Sequence, residues 1–459
     1  MMTQLQILEL RKNPAGLAEF LSRANSRDAA KILDRLGRLS SDFDRAPLLD
    51  LLRSHDPKLR MLAVKNLAKL SDFDLMDVYL SLLKNDVSSS VRREAVSAIG
   101  RMRDMRSIPI LLDILNDADP EIVLQALRGL LVFKQSNKLV HEALLKLRNH
   151  PNEMVQEVIA RELATEFRSV SRDATHVEFP QFLGDVVVEA DIRDAIKVIP
   201  DQSVHLTFTS PPYYNARDYS TYKSYGEYLD FLTEVFTEVH RITKDGRFLV
   251  LNTSPIIIPR VSRSHSSKRY PIPYDIHSRL VAMGWEFVDD IVWLKPEASV
   301  KNRNAGFLQH RKPLAYKPNS VTEMLMVYRK KTDKLIDWNI KQYSYDVVNS
   351  SRVGEDYETT NVWKIDPVFD KTHSAVFPRV LCDRVIKYYS YKGDLVFDPF
   401  AGSGTVGVSA ILLKRHFLLV EQNSLYVARI RENLINLDNY IMNIKCSVYS
   451  LKEFRSVCR

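Results

Sequence analysis

Four thirteen-residue segments in the first third of the chain carry the same helical pattern. In each of them, apolar residues and alanines recur at positions i, i+3, i+4 and i+7, which is the stripe of a helix that buries one face. The segments are KLRMLAVKNLAKL (58–70), SVRREAVSAIGRM (90–102), EIVLQALRGLLVF (121–133) and EMVQEVIARELAT (153–165). They return with a period of roughly 30–34 residues, a spacing typical of stacked helical repeats. Because such a helix buries its stripe only against neighbours, the pattern predicts an all-α solenoid over residues 14–168.

After residue 170 the pattern changes to short apolar runs that alternate with helical ones. The strand-like runs lie at 186–191, 204–209, 247–252, 287–294, 323–329, 394–398 and 416–421, and the helical runs at 225–243, 275–284, 378–390 and 405–414. This alternation predicts an α/β fold, with a mostly parallel sheet that is covered by helices on both faces. We therefore predict a helical repeat domain at 1–168, a polar linker at 169–182 and an α/β domain at 183–459.

The composition bounds the classes of protein that the chain can belong to. Its three cysteines, Cys382, Cys446 and Cys458, are too few and too scattered for a disulfide framework or a zinc site. This cysteine usage is typical of a reducing cytoplasm. No stretch reaches the ~18 consecutive apolar residues that a membrane span needs. The formal net charge of +8 permits a polyanionic partner but does not prove one.

The segment DLVFDPFAGSGTVGVSA has the order strand, glycine turn and helix. Gly402 and Gly404 allow the backbone to turn tightly and to approach a ligand without a Cβ atom in the way. Asp398 ends the strand, and Thr405 begins a helix whose N-terminal amides face the same point. The next strand ends at Glu421, where an acidic side chain can accept both hydroxyls of a ribose. The pattern predicts a nucleoside site, and the lack of a lysine after the second glycine excludes a Walker loop.

A second turn, TSPPY (209–213), follows the apolar run VHLTF. A turn that only reverses the chain usually carries Gly, Asn or Asp. This turn instead carries two prolines, a hydroxyl group and an aromatic ring. We interpret it as a binding surface at the end of a strand.

The two turns together resemble those of the DNA amino-methyltransferases. DPFAGSGT resembles the S-adenosylmethionine loop of this family, and TSPPY resembles its catalytic motif. The segments IVWLKP (291–296), TEMLMVYRKK (322–331) and HSAVFPRVL (373–381) match the family in type and order. The catalytic motif precedes the cofactor loop, an order characteristic of the beta class. The N-terminal helical segments resemble HEAT-like repeats, so the resemblances imply a Rossmann-like methyltransferase sheet preceded by a HEAT-like solenoid.

The resemblance implies that S-adenosylmethionine is the cofactor. The residues that would hold it in and after the glycine turn are Asp398, Pro399, Phe400, Ala401, Gly402, Ser403, Gly404, Thr405 and Glu421. Asp191, at the end of its own predicted strand, would contact the adenine. His373 and Phe377, together with Pro378, would close the methionine side. The resemblance implies no metal ion.

The resemblance also implies a catalytic role for Ser210, Pro211, Pro212 and Tyr213. An exocyclic amine of cytosine or adenine is a poor nucleophile, because its lone pair is delocalised into the ring. Hydrogen bonds from both N–H groups to fixed acceptors free that lone pair, and the Ser210 hydroxyl and the Pro211 carbonyl are the candidate acceptors. The prolines fix the carbonyl, and Tyr213 offers a π-face to a base turned out of the duplex. No Pro-Cys pair is present, which argues against methylation at carbon 5 of cytosine.

Double-stranded DNA is the partner that this reading implies. Asn215 and Arg217 follow the catalytic turn directly and are candidate contacts to the target strand. Two stretches without acidic residues, 255–274 and 298–320, contain basic side chains that can neutralise phosphates or reach base edges. In the second stretch, the candidate DNA-binding residues are Arg303, Arg311 and Lys312.

The identity of the methylated base rests on the first residue of the catalytic motif. Family members with serine at this position mostly act on cytosine N4, so Ser210 favours cytosine, and adenine N6 is the alternative. A remoter alternative is a non-catalytic DNA-binding or scaffold protein, which the intact loop and motif disfavour. The usual role of the family implies a restriction-modification setting in a prokaryotic cytoplasm, with a restriction endonuclease that acts on the same site.

Overall fold

The computed structural model describes residues 4–40, 43–134, 136–164, 178–214, 222–258, 262, 264–265, 267–300, 313–314, 318–355, 357–368, 378–441 and 446–458. The chain divides into two compact units, Met1–Val170 and Ser171–Arg459. Most of the predicted linker, 169–182, lies outside the described residues.

The first unit is built from α-helices joined by short turns. The helices are α1 Gln4–Lys12, α2 Pro14–Arg23, α3 Ser26–Arg35, α4 Ala46–Leu51, α5 Pro57–Leu67, α6 Met76–Asn85, α7 Ser89–Arg101, α8 Ile108–Ile114, α9 Pro120–Leu130, α10 Lys138–Lys146 and α11 Glu153–Ala164. The carboxylates of Asp56 and Asp119 accept the amide protons of Lys58 and Glu121, which caps α5 and α9. A proline at the first helical position follows each of these caps, where no amide hydrogen is needed.

The predicted helical repeats are confirmed. Helices α5, α7, α9 and α11 correspond to the four segments that carry the repeated stripe, and each contacts the next. Small residues permit this stacking, because a Cβ atom on Gly100 of α7 would lie 2.9 Å from the Cα atom of Gly129 of α9. One apolar core runs through the described part of the unit, from Ile7 to Ile159.

The second unit contains a nine-stranded sheet with helices around it. The strands of the unit are β1 Val186–Glu189, β2 Val204–Thr209, β3 Thr243–Thr253, β4 Ile256–Ile258, β5 Lys268–Tyr270, β6 Trp285–Leu294, β7 Thr322–Lys330, β8 Val362–Lys364, β9 Leu395–Asp398, β10 His416–Glu421 and β11 Ser447–Ser450. A separate two-stranded sheet is formed by β4 and β5. The helices of the unit are α12 Ile192–Ala195, α13 Tyr225–Ile242, α14 Ile272–Ala282, α15 Ile336–Ile340, α16 Tyr345–Ser350, α17 Arg379–Tyr389, α18 Thr405–Leu412, α19 Ser424–Ile441 and α20 Leu451–Val457.

The strand order of the large sheet is β11-β1-β10-β9-β2-β3-β7-β6-β8. All neighbouring pairs are parallel except those of β7, which runs antiparallel to β3 and β6. Successive side chains of a strand enter different cores: Val186 and Val188 pack in one core, and Val187 packs in the other. The predicted mostly parallel sheet with helices on both faces is therefore confirmed. The edge strands β8 and β11 were not predicted.

A buried ion pair joins β3 to the turn that precedes β9. The guanidinium group of Arg247 contacts the carboxylate of Asp394, and these side chains are 7% and 1% exposed. The Asp394 carboxylate also accepts hydrogen bonds from the Tyr343 hydroxyl at 2.5 Å and from the Tyr391 amide at 2.8 Å. The carboxylate thus satisfies three donors from separate parts of the unit.

Asp394→Asn is expected to lower the free energy of unfolding by about 3 kcal/mol, because it leaves the Arg247 charge buried without its counter-ion. Urea unfolding followed by near-UV circular dichroism measures this loss. The matched control is Asp346→Asn on exposed α16, which is expected to change stability by less than ~0.5 kcal/mol. Equal stability of the two variants would contradict the account of this ion pair.

Candidate functional site

The carboxyl ends of three neighbouring parallel strands, β2, β9 and β10, surround one cavity of ≈ 740 Å³. This volume lies within the usual range of small-molecule and cofactor sites. The predicted residues that line it are Asp191, Ser210, Pro211, Pro212, Tyr213, Asp398, Pro399, Phe400, Ala401, Gly402, Ser403, Thr405 and Glu421. Two turns that are nearly two hundred residues apart along the chain therefore face the same space.

The glycine turn has the left-handed backbone that its sequence predicts. The φ angles of Gly402 and Gly404 are +52° and +79°, values that side chains with a Cβ atom rarely adopt. A Cβ atom on Gly404 would lie 2.9 Å from Ile430 of α19. The Gly404 amide donates to the Ala401 carbonyl at 2.8 Å, which closes the turn directly before α18. Gly404 therefore shapes the turn from behind the lining of the cavity.

Glu421, at the end of β10, holds the glycine turn against its own strand. One carboxylate oxygen accepts the amide proton of Gly402 at 2.8 Å, and the other accepts that of Asn423 at 2.9 Å. Burial raises the pKa of Glu421, and these backbone hydrogen bonds oppose that rise. The Gln422 amide is a third backbone donor to this carboxylate. A carboxylate has about four acceptor positions, so Glu421 can still accept a hydroxyl proton from a ligand in the cavity.

Asp398 links the two turns. Its Oδ1 atom accepts the Thr209 hydroxyl at 2.7 Å and the Phe400 amide at 3.1 Å. Thr209 is the last residue of β2 and the first of TSPPY (209–213), which we call the serine turn. This bond therefore joins the start of the serine turn to the start of the glycine turn. Burial raises the pKa of Asp398 to about 7, although the hydrogen bonds from Thr209 and Phe400 act in the opposite direction.

The raised pKa of Asp398 predicts that the chain without ligand is less stable at alkaline pH. In the unfolded chain this carboxyl loses its proton near pH 4, whereas in the folded chain it keeps the proton up to pH about 7. Between pH 4 and pH 7, the folded chain thus carries a proton on Asp398 that the unfolded chain has lost. Raising the pH through this range therefore lowers the stability of the folded state. Between pH 5.5 and 8, the wild type is expected to lose about 2 kcal/mol of unfolding free energy relative to Asp398→Asn.

Urea titrations at the two pH values measure this difference. The matched control is Asp366→Asn, which removes an exposed carboxylate of the same unit and is expected to follow the wild type at both values. Parallel pH dependence in the wild type and in Asp398→Asn would show that Asp398 does not titrate as described.

Asp191 lines the cavity from a position that differs from the expected one. The strand β1 ends at Glu189, and Asp191 is instead the N-cap of α12, where its carboxylate accepts the Arg193 amide at 2.9 Å. The Arg193 guanidinium also donates to it at 2.7 and 3.1 Å. The hydrogen bond from this guanidinium lowers the pKa of Asp191. The predicted strand was two residues too long, because the helix cap takes the final polar residue.

The serine turn is anchored to a polar network that the sequence did not assign. The Tyr213 hydroxyl donates to Oε2 of Glu323 at 3.3 Å, and it also hydrogen-bonds with the side chain of Ser210. Asn252 donates to the same carboxylate oxygen of Glu323 at 2.7 Å, and the Lys295 ammonium contacts the other oxygen. Burial, followed by the charge of Glu323, raises the pKa of Tyr213.

The strand directions explain why this network was missed. Glu323 lies at the start of β7, whereas Asn252 and Lys295 lie at the ends of β3 and β6. Because β7 runs antiparallel to both neighbours, its first residues meet their last residues at the edge that carries the cavity. A polar residue at the end of an apolar run was a usable signal for Asn252 and Lys295. To predict that Glu323 belongs to the site, the direction of β7 must be known, and the sequence of the strand does not give that direction.

An aromatic cluster, which includes the cavity-lining Tyr222, packs beside the TSPPY turn. The ring of Tyr214 lies 5.0 Å from that of Tyr270, 5.4 Å from that of Tyr225 and 5.8 Å from that of Tyr228, measured between centroids. Tyr222 packs on the same Tyr228 ring at 5.2 Å. Rings of helix α13 thus contact both Tyr214 and Tyr222, the residues on either side of 215–221.

Several predicted site residues lie outside the described residues. These are the cofactor candidates His373 and Phe377 and the DNA-binding candidates Asn215, Arg217, Arg303, Arg311 and Lys312. Part of the predicted basic loop at 255–274 instead forms the hairpin of β4 and β5, and α14 begins at Ile272. Within the described ranges, no helix has the length and apolar character that a bilayer span requires.

Two family models match the chain. Residues 204–432 match a model described as DNA methylase, and residues 45–131 match a model of HEAT repeats. The first match covers both turns and the Glu323 network. The second covers two of the four repeated helical segments in full and most of the third, 121–133.

Individual relatives match the chain at low identity. A type II methyltransferase of Methanothermobacter wolfeii is 28% identical over 280 residues, which are 59% of this chain and 36% of that protein. One from Xanthomonas campestris pv. cyanopsidis is 27% identical over 293 residues, 57% of this chain and 91% of that protein. The solved structure of the PvuII DNA methyltransferase, which is cytosine-N4-specific, covers 60% of this chain and 91% of its own at 18% identity, with a TM-score of 0.42. The chain thus spans about a third of the first relative.

Proposed function

Because residues 204–432 are a domain of the N6/N4 DNA methylase family, we propose that the chain transfers a methyl group from S-adenosylmethionine to the N4 amine of cytosine in double-stranded DNA. The observation that carries this proposal is the shared cavity. Ser210 and Tyr213 of one turn and Phe400 and Gly402 of the other line the same ≈ 740 Å³ of space. A reaction between two ligands needs such a space, because the reacting atoms must be held within contact distance.

S-adenosylmethionine, the cofactor of this family, fits the residues around the glycine turn. Glu421 can still accept a hydrogen bond from a ribose hydroxyl, and Phe400 offers an aromatic ring at the cavity wall. When bound, the cofactor supplies an electrophilic methyl group. Asp191 is proposed to contact the adenine, and the left-handed turn at Gly402 lets the backbone approach the ligand closely.

The serine turn is proposed to activate the target amine. The Ser210 hydroxyl and the Pro211 carbonyl would accept the two N–H groups, which localises the nitrogen lone pair. The ring of Tyr213 would stack on the flipped base. Its hydroxyl is held by Glu323 at 3.3 Å, so the ring has a fixed orientation before the base arrives. Such preorganised positioning is the main source of catalysis that these residues offer.

The choice of cytosine N4 over adenine N6 rests on serine as the first residue of the motif. Both amines present the same pair of N–H groups to the same acceptors, so the local geometry is compatible with either. The proposed setting is a prokaryotic cytoplasm, where a cognate restriction endonuclease acts on the same site. No role in the reaction is proposed for the helical repeats of the first unit.

Sequencing DNA from a host that expresses the chain, by a method that distinguishes the two methylated amines, tests the proposal. The expected result is N4-methylcytosine at one recurrent sequence. N6-methyladenine at one recurrent sequence would show that adenine, and not cytosine, is the target base. DNA without either modification, from cells that contain the folded protein, would contradict the proposed activity.

A further inference from the structure

The hydroxyl groups of the serine turn form a directed chain that ends on a carboxylate. An ionised carboxylate only accepts hydrogen bonds, so the Tyr213 hydroxyl must donate its proton to Glu323. The hydrogen bond between Tyr213 and Ser210 can then have only one direction, with Ser210 as the donor and the Tyr213 oxygen as the acceptor. The lone pairs of the Ser210 oxygen are left to accept a proton from a ligand in the cavity.

Methylation of a neutral amine requires such an acceptor. When the nitrogen gains a methyl group from a sulfonium, it also gains a positive charge, and it becomes neutral only when one N–H bond breaks. The site must therefore release one proton for each methyl group transferred. Neither the family motif nor the cofactor loop contains an ionised base that contacts the amine, because Asp398 is turned toward Thr209 and Phe400.

We propose that the chain Ser210–Tyr213–Glu323 carries this proton away from the target amine. The inference rests on the proposed function. As the N–H bond breaks, the proton passes to the Ser210 oxygen, the Ser210 proton passes to the Tyr213 oxygen, and the Tyr213 proton passes to Glu323. The products are a neutral methylated amine and a neutral carboxylic acid, while both hydroxyls are restored.

The surroundings of Glu323 suit this role. Lys295 contacts one carboxylate oxygen and Asn252 donates to the other, so the carboxylate is held in place before the reaction. The side chains of Glu323 and Lys295 are each 17% exposed, which leaves a route for the proton from the carboxylic acid to water. A carboxylate can take up this proton, because a protonated amine on an electron-poor ring is a much stronger acid than a carboxylic acid.

The test uses the full-length protein, saturating S-adenosylmethionine and cognate DNA in single-turnover experiments in H₂O and in D₂O. Glu323→Gln removes the acceptor with little change of shape, and Tyr213→Phe breaks the chain but keeps the ring. Each variant is expected to slow transfer by roughly 100-fold, the usual contribution of a positioned proton acceptor. The matched control is Glu286→Gln, which removes an exposed carboxylate of β6 and is expected to react like the wild type.

A purely structural role of Glu323 would explain a slower reaction but not a change in the solvent isotope effect. The wild-type rate is expected to be lower in D₂O, because the transferred protons move between the two hydroxyl groups and the carboxylate. This solvent isotope effect is expected to disappear in Glu323→Gln, whose amide does not accept the final proton. Variants that react at the wild-type rate, or that are slow with an unchanged isotope effect, would overturn the proton route alone. A wild type that transfers no methyl group would overturn the proposed function itself.

Discussion

Replacing Ser210 with alanine is expected to lower the rate constant of methyl transfer by at least ~100-fold, while the affinity for S-adenosylmethionine stays unchanged. The reason is the position of this residue in two sets of contacts. It lines the cavity, where it is proposed to contact the target amine, and its side chain hydrogen-bonds with Tyr213. Alanine removes one of the two acceptors that would localise the amine lone pair, and it also removes the first member of the proton route.

Single-turnover transfer from labelled S-adenosylmethionine measures the rate, and isothermal titration measures cofactor binding. Ser350→Ala, an exposed change at the end of α16, is the matched control and is expected to keep the wild-type rate. Ser210→Asn restores an acceptor oxygen and is expected to recover part of the rate. A Ser210→Ala variant that transfers methyl groups at the wild-type rate would remove the serine turn from the reaction.

Replacing Gly404 with valine is expected to weaken binding of S-adenosylmethionine by at least ~100-fold, since a β-branched residue is strongly disfavoured at φ +79°. The new Cβ atom would also lie 2.9 Å from Ile430. Relief of this clash requires the turn between β9 and α18 to move. Because Glu421 is bonded to the Gly402 amide in the same turn, its carboxylate would be displaced as well.

Gly393→Val is the matched control for this variant. Gly393 has a similar φ of +85°, and a Cβ atom there meets no other atom within 4 Å. It lies before β9, at the opposite end of the strand from the glycine turn. Both variants are expected to lose thermal stability, but only Gly404→Val is expected to lose cofactor binding. Equal cofactor affinity in the two variants would contradict the assigned role of the turn.

The sequence predicted the parts of the fold that depend on local patterns. The period of the helical stripe identified α5, α7, α9 and α11, and the glycines at 402 and 404 identified the left-handed turn. The meeting of the two turns was also predictable, because the ends of parallel strands share one edge of the sheet. The cavity that both turns line agrees with this expectation.

The features that the sequence did not predict depend on strand direction and on competition between contacts. Glu323 enters the site because β7 runs antiparallel to its neighbours, and an apolar run reads the same in either direction. Asp191 was expected to end a strand, but its carboxylate is a better partner for the exposed amide of α12. The short edge strands β8 and β11 depend on pairing with their neighbours rather than on their own composition.

The most direct test of the central claim is to measure cofactor binding and methyl transfer to DNA in the same samples of wild type, Ser210→Ala and Gly404→Val. S-adenosylmethionine with a deuterated methyl group allows mass spectrometry of the digested DNA to identify both the label and the modified base. The account predicts labelled N4-methylcytosine from the wild type, binding without transfer in Ser210→Ala, and neither in Gly404→Val. Labelled DNA from both variants at the wild-type rate would show that the two turns do not share one reaction.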